Sequence, residues 1–126
     1  MFDTSNLILV GSKLLSIDRP VRITLITQET RKIKGNMGLC ETMYRKGKIQ
    51  YHKVTVNLGS CAANKYAVSD VILHELVHIC MIEHNKFNPK YHHNKRFQRI
   101  CKALEDNMRK LGFTVGELYS PDSDID

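Results

Sequence analysis

The chain of 126 residues has no apolar run near the ~20 residues that a membrane span requires. A membrane partner is therefore not expected. None of its four cysteines, Cys40, Cys61, Cys80 and Cys101, forms a CxxC pair, which excludes the usual zinc fingers and ribbons. No basic leader precedes the apolar patch of MFDTSNLILVGSK, so this stretch does not read as a signal peptide. The expected location is intracellular, in the cytoplasm or with the nucleoid or nucleus, and a disulfide framework is not expected there. There is no internal repeat, low-complexity segment or interdomain linker. Acids are scarce: 13 Asp and Glu face 19 Lys and Arg, for a net charge of +6. Three of those acids, Asp122, Asp124 and Asp126, crowd into the last five residues, leaving the body more basic still. Such a balance suits an anionic partner, most commonly nucleic acid, and it equally serves solubility.

What is present describes one globular domain. Hydrophobic residues make up 42% and charged residues 25%, which is ordinary for a folded chain of this length. Residues 1–118 are expected to form the domain, and 119–126 an acidic tail without fixed structure. Leu7, Val10, Leu14 and Ile17 recur at helical spacing, which predicts a helix over residues 4–17 ended by Pro20. Val21, Ile23 and Leu25 alternate as in a strand. Leu39 to Leu58 reads as two strands around the turn Arg45-Lys46-Gly47-Lys48, with a slip in alternation at Lys53.

Ser69-Asp70 offers an N-cap for a helix reaching about His84. That helix is apolar on most sides (Val71, Ile72, Leu73, Leu76, Val77, Ile79, Cys80, Met81, Ile82), the signature of a buried helix. Asn85–Tyr91 carries Pro89 and reads as a loop. A final helix is expected from about Asn94 to Leu111, with a stripe of Phe97, Ile100, Cys101, Leu104, Met108 and Leu111, and Gly112 as its terminator. The expected fold is α+β: a small sheet of about three strands packed on helices, with the buried helix at its centre.

Inside that helix stands His74-Glu75-Leu76-Val77-His78, an HExxH motif. Side chains four apart lie one turn apart on one face, so both imidazoles reach a single metal ion. Zinc accepts imidazole nitrogen and, in catalytic sites, keeps one position for water, whose pKa it lowers to about 7. Glu75 is placed to take that water's proton and pass it to a leaving amine. Two histidines and a glutamate in a buried apolar helix need partners, and hydrogen-bonded core histidines are the plain alternative.

A third ligand is required, and His84, His92 and His93 are the candidates, with His52 a remote one. A ligand at the offset of His84 needs the helix to break where Met81 stands. His93 lies fifteen residues after His78, past the Pro89 loop, where a second helix could deliver it.

HELVH followed by His93-Asn94-Lys95-Arg96-Phe97 resembles the SprT-like (Spartan-type) zinc metallopeptidases, whose pattern is HExxH and then HGxxF or HGxxW; Asn94 stands where glycine is usual. Met37-Gly38-Leu39-Cys40-Glu41 resembles that family's AGLC-type segment, and Val54-Thr55-Val56-Asn57-Leu58 its strand before the active helix. The resemblance spans about residues 4–112. It implies a zincin-like fold with one zinc ion on His74, His78 and His93 and Glu75 as general base. It also implies a protease, in the Spartan branch one that cleaves DNA-bound or DNA-crosslinked proteins when activated by DNA, with single-stranded and junction forms both open. The related WLM-type group places its third histidine closer, and His84-Asn85-Lys86-Phe87 imitates that spacing.

From His84 through Leu104 there is no acid, while Lys86, Lys90, Lys95, Arg96, Arg99 and Lys102 fall in the same stretch. The first five are candidate nucleic-acid contacts. Arg31, Lys32, Lys34, Arg45, Lys46, Lys48 and Lys53 form a second basic group. Tyr44, Tyr51 and Tyr91 are interleaved and could stack bases of a single strand. The competing expectation is a basic nucleic-acid-binding module whose zinc site is structural or silent; retention of Glu75 weighs against it.

Overall fold

The computed structural model describes residues 4–28, 36–63 and 67–119. It is an α+β fold in the order α1 (Thr4–Leu14), β1 (Val21–Ile26), β2 (Gly38–Arg45), β3 (Lys48–Asn57), α2 (Leu58–Ala63), α3 (Val68–Glu83) and α4 (Lys95–Lys110). Residues 120–126 of the tail expected over 119–126, and the basic residues Arg31, Lys32 and Lys34, lie outside the described residues; Tyr119 is described.

The three strands form one sheet in the order β1-β3-β2, with β1 parallel and β2 antiparallel to β3. The β2–β3 turn places Lys46 and Gly47 at φ 52° and 77°, the left-handed pair that matches the twist of a tight hairpin. Register shifts between Met43 and Tyr44, which pair with Tyr51 and Ile49 and leave Gln50 as an extra residue. This bulge is the source of the irregular alternation read at Lys53. It sends His52, Val54 and Val56 into the core. Tyr51 goes to the other face, under the Arg22 guanidinium at 4.0 Å.

α3 is the centre of the core. Val71, Ile72, Leu73, Leu76, Val77 and Ile79 are all wholly buried, because β2, β3, α1, α2 and α4 pack around this helix. Its start differs from expectation. The N-cap is Ala67, without a side-chain cap, and Asp70 turns inward to accept the Gly116 N–H at 3.1 Å. Burial pushes the Asp70 carboxyl above its ordinary range, against the opposing pull of that N–H and of Arg109.

α1 ends at Leu14, before Pro20 comes into play, because Ser16 adopts φ 55° and the Ile17 N–H returns to Ser12 O. Leu58 opens the short helix α2 where a strand was expected to continue. α4 keeps its expected stripe except for Leu111, which is exposed at its C-cap. Glu105 is buried on the same helix. Among the described residues no helix is long and apolar enough to cross a membrane.

Candidate metal centre

The HExxH helix runs unbroken through Met81 and ends at Glu83. Continuity decides the fate of His84, which lies outside the cluster of His74, His78 and His93, as do His92 and His52. Its Nε2 meets Ser16 O at 3.1 Å, on the α1–β1 connection. The neighbouring Glu83 accepts the Asp18 and Arg19 N–H groups and the Nε2 of wholly buried His52 at 2.6 Å. The His52 Nδ1 in turn meets the Thr42 hydroxyl. His52 and His84 thus tie the end of α3 to other elements. The Cys80 thiol does the same, donating to Leu15 O at 3.3 Å. Burial, helped by the Glu83 charge, pushes that thiol up to about 11, and burial raises Cys61 and Cys101 as well. These thiols stay protonated at neutral pH and pack as small core residues.

His93 is delivered by the loop that precedes α4. The side chain of Asn94 accepts the Phe97 N–H at 3.0 Å and caps the helix. Asparagine in the glycine position of the motif is thereby explained: it supplies the cap that starts α4 one residue after His93. The ligand nitrogens of His74, His78 and His93 all lie within 4.8 Å of one another, and the Nε2 atoms of His78 and His93 are 3.2 Å apart. Tetrahedral zinc at ~2.0–2.1 Å from each nitrogen would separate ligand nitrogens by about 3.4 Å. The His78–His93 pair already matches that separation.

The protonation pattern fits as well. His74 Nδ1 donates to Leu118 O at 2.5 Å, which leaves Nε2 with its lone pair for a metal. Phe97 stands behind all three rings, at 4.4 Å from His78, 4.8 Å from His93 and 5.1 Å from His74 by centroid. A nitrogen-only donor set of three imidazoles, held by an apolar wall, suits zinc with one position left open.

Scanned against models of known families, residues 18–117 match the SprT-like family. The chain belongs to the SprT-like family. No curated protein matches the chain. Membership and the three convergent histidines together give a zinc-metallopeptidase-like domain with a site that could hold a metal ion.

Glu75 and His78 share a cleft of about 170 Å³ with Leu39, Cys40, Phe87 and His92. Gly38 is what lets β2 approach: a Cβ there would lie 2.7 Å from Val71 Cγ1 and 3.2 Å from Glu75 Cγ. The segment singled out as AGLC-like is therefore the wall against which the SprT-like helix sets its glutamate. Tyr91, by contrast, is exposed and stacked under the Lys90 ammonium.

On the far side of Phe87 lies a wider groove of about 610 Å³ lined by Lys86, Lys95, Arg96 and Arg99. Four of the five basic candidates converge there, and Lys90 does not. Sequence reading missed the Leu118 carbonyl altogether. No side-chain pattern encodes a backbone acceptor forty-four residues from His74.

Proposed function

We propose that this chain is a zinc-dependent endopeptidase that cleaves proteins bound or crosslinked to DNA. The observation that carries the reading is the convergence of His74 and His78 on α3 with His93 from the loop before α4, their ligand nitrogens within 4.8 Å of one another, while Glu75 lines the cleft beside His78. His74, His78 and His93 are the residues that would hold one Zn²⁺, with Glu75 as general base. Bound zinc supplies Lewis acidity, polarising a scissile carbonyl and acidifying a water. Glu75 would accept a proton from the attacking water on its carboxylate and return it to the leaving amine. His92, on the rim of the same cleft, offers a ring N–H to the developing oxyanion.

β2 is an edge strand among the described residues, and its Leu39 and Cys40 line the cleft. An extended substrate could add to this edge by main-chain hydrogen bonds, an attachment that needs no particular sequence. The basic groove supports the choice of substrate. Lys95 and Arg96 occupy the first turn of α4, which holds no acid. Cations at a helix N-terminus oppose the macrodipole, at a cost of roughly 0.3–1 kcal/mol each; a bound phosphate chain removes that penalty. Because Phe87 lines both groove and cleft, DNA in the groove would hold an attached protein beside Glu75.

The test is cleavage of a DNA-binding protein by wild type and Glu75→Gln, each with and without single-stranded DNA, in zinc-replete buffer. Cleavage by wild type alone, and only with DNA, is the expected result. Equal cleavage with and without DNA would leave a peptidase and remove the nucleic-acid role. Zinc-loaded wild type that cleaves nothing would overturn the reading in favour of a binding module.

A further inference from the structure

The segment 113–119 after α4 belongs to neither helix nor sheet, yet it is tied down along its length. Arg109 donates from Nε to Val115 O at 2.9 Å and from Nη2 to Gly116 O at 3.1 Å. The Gly116 N–H lies between both Asp70 carboxylate oxygens, at 3.1 and 3.2 Å. The Leu118 N–H donates to Glu105 Oε2 at 3.2 Å. Leu118 O then receives His74 Nδ1, and the Tyr119 ring stands 5.4 Å from that of His93. Asp70 and Glu105 are both buried. Glu105 also meets Arg109 Nη2 at 3.5 Å, so two buried carboxylates and one guanidinium bind the backbone of a short coil, a costly arrangement unless that coil has a fixed task.

We propose that Glu105 and Asp70 are positioning residues for the metal centre, holding this strap so that the Leu118 carbonyl fixes the tautomer and direction of His74. The proposal rests on the reading of the three histidines as zinc ligands. Leu118 is wholly buried, so its side chain anchors one end while Glu105 sets the peptide just before its carbonyl. At Gly116 a Cβ would lie 2.6 Å from Asp70 Oδ2, so a larger residue there displaces either the strap or the carboxylate that holds it. With the strap released, His74 loses its acceptor. The ring then samples both tautomers and more than one rotation, and only one combination presents Nε2 to the ion.

The test compares wild type with Glu105→Ala, Glu105→Gln and, as a stability control at the other end of α3, Glu83→Gln. Two quantities are measured: the zinc dissociation constant by chelator competition, and the His74 tautomer in metal-free protein by long-range ¹H–¹⁵N NMR. Wild type should show His74 protonated at Nδ1. Glu105→Ala should mix the tautomers and weaken zinc by about ten- to a hundredfold. Glu105→Gln, which keeps an oxygen acceptor, should restore most of both, and Glu83→Gln should lose stability with zinc affinity within about twofold of wild type. A folded Glu105→Ala with wild-type tautomer and wild-type zinc affinity would overturn the proposal. Should Glu105→Ala not fold, Gly116→Ala carries the same two readouts with the same expected and overturning results. Wild type that binds no zinc would defeat the metal reading instead, and the tautomer measurement would still decide whether the strap orders His74.

Discussion

Phe97 is the residue on which packing and chemistry depend together, and substituting it tests both. It is wholly buried and its ring contacts those of His74, His78 and His93. Phe97→Leu keeps an apolar side chain of nearly the same bulk, so the transfer term changes little. A well-tolerated core swap costs under about 1.5 kcal/mol. The ring contacts are lost in addition, each worth about 0.5–1.5 kcal/mol beyond area burial. They share one ring and are not additive, so a total loss of about 2–3 kcal/mol is expected. In a domain of this size that lowers the melting temperature by about 8–12 °C. The fuller truncation, Phe97→Ala, should cost about 3–5 kcal/mol. Urea unfolding in the presence of a chelator measures these losses without the contribution of metal binding. Adding zinc then measures the second effect, because ligand binding to the native state stabilises it in proportion to affinity. Three imidazoles without their common wall should hold the ion less well, so the zinc-induced gain in stability should shrink in Phe97→Leu. Phe97→Leu with a loss below about 0.5 kcal/mol, the range of an ordinary surface change, and an undiminished zinc gain would refute the view that this ring organises the site.

Two further outcomes follow from the charges. Burial pushes the Glu83 carboxyl up, but the Asp18 N–H, the His52 imidazole and the Arg19 N–H together outweigh it and hold the group below the ordinary glutamate value of 4.5. A carboxylate with a depressed folded pKa contributes stability that is full above its unfolded pKa and is lost as pH falls through the folded one. Acid titrations of unfolding free energy should therefore show a steeper fall below about pH 4.5 for wild type than for Glu83→Gln, and parallel curves would refute the assignment. In the groove, Lys95→Glu, Arg96→Glu and Arg99→Glu combined should weaken single-stranded DNA binding and flatten its salt dependence by about two units of logarithmic slope, at roughly 0.7 per lost phosphate contact. An unchanged slope would move the nucleic acid elsewhere on the surface.

The residues that could be read from sequence are those whose information is local. His74 and His78 share a helical face by spacing alone, and the apolar run around them marks a buried helix in any fold. The hairpin turn, the loop at Pro89 and the amphipathic stripe of α4 are likewise written in neighbouring residues. The tertiary structure decided the rest. Met81 and the family pattern already favour His93 over His84; the structure supplies the reason, since an unbroken helix through Met81 carries His84 to Ser16 O and the cap at Asn94 turns His93 toward His78. Asp70 reads as a cap and acts as a buried anchor for Gly116, because a cap is judged from three residues but burial is set by what packs from a distance. The slip near Lys53 was visible, yet which strand face met the core depended on the bulge opposite Met43 and Tyr44. The acceptor that orients His74 is a main-chain carbonyl, identical at every position of the chain. Only the path of the backbone across α3 gives Leu118 that role.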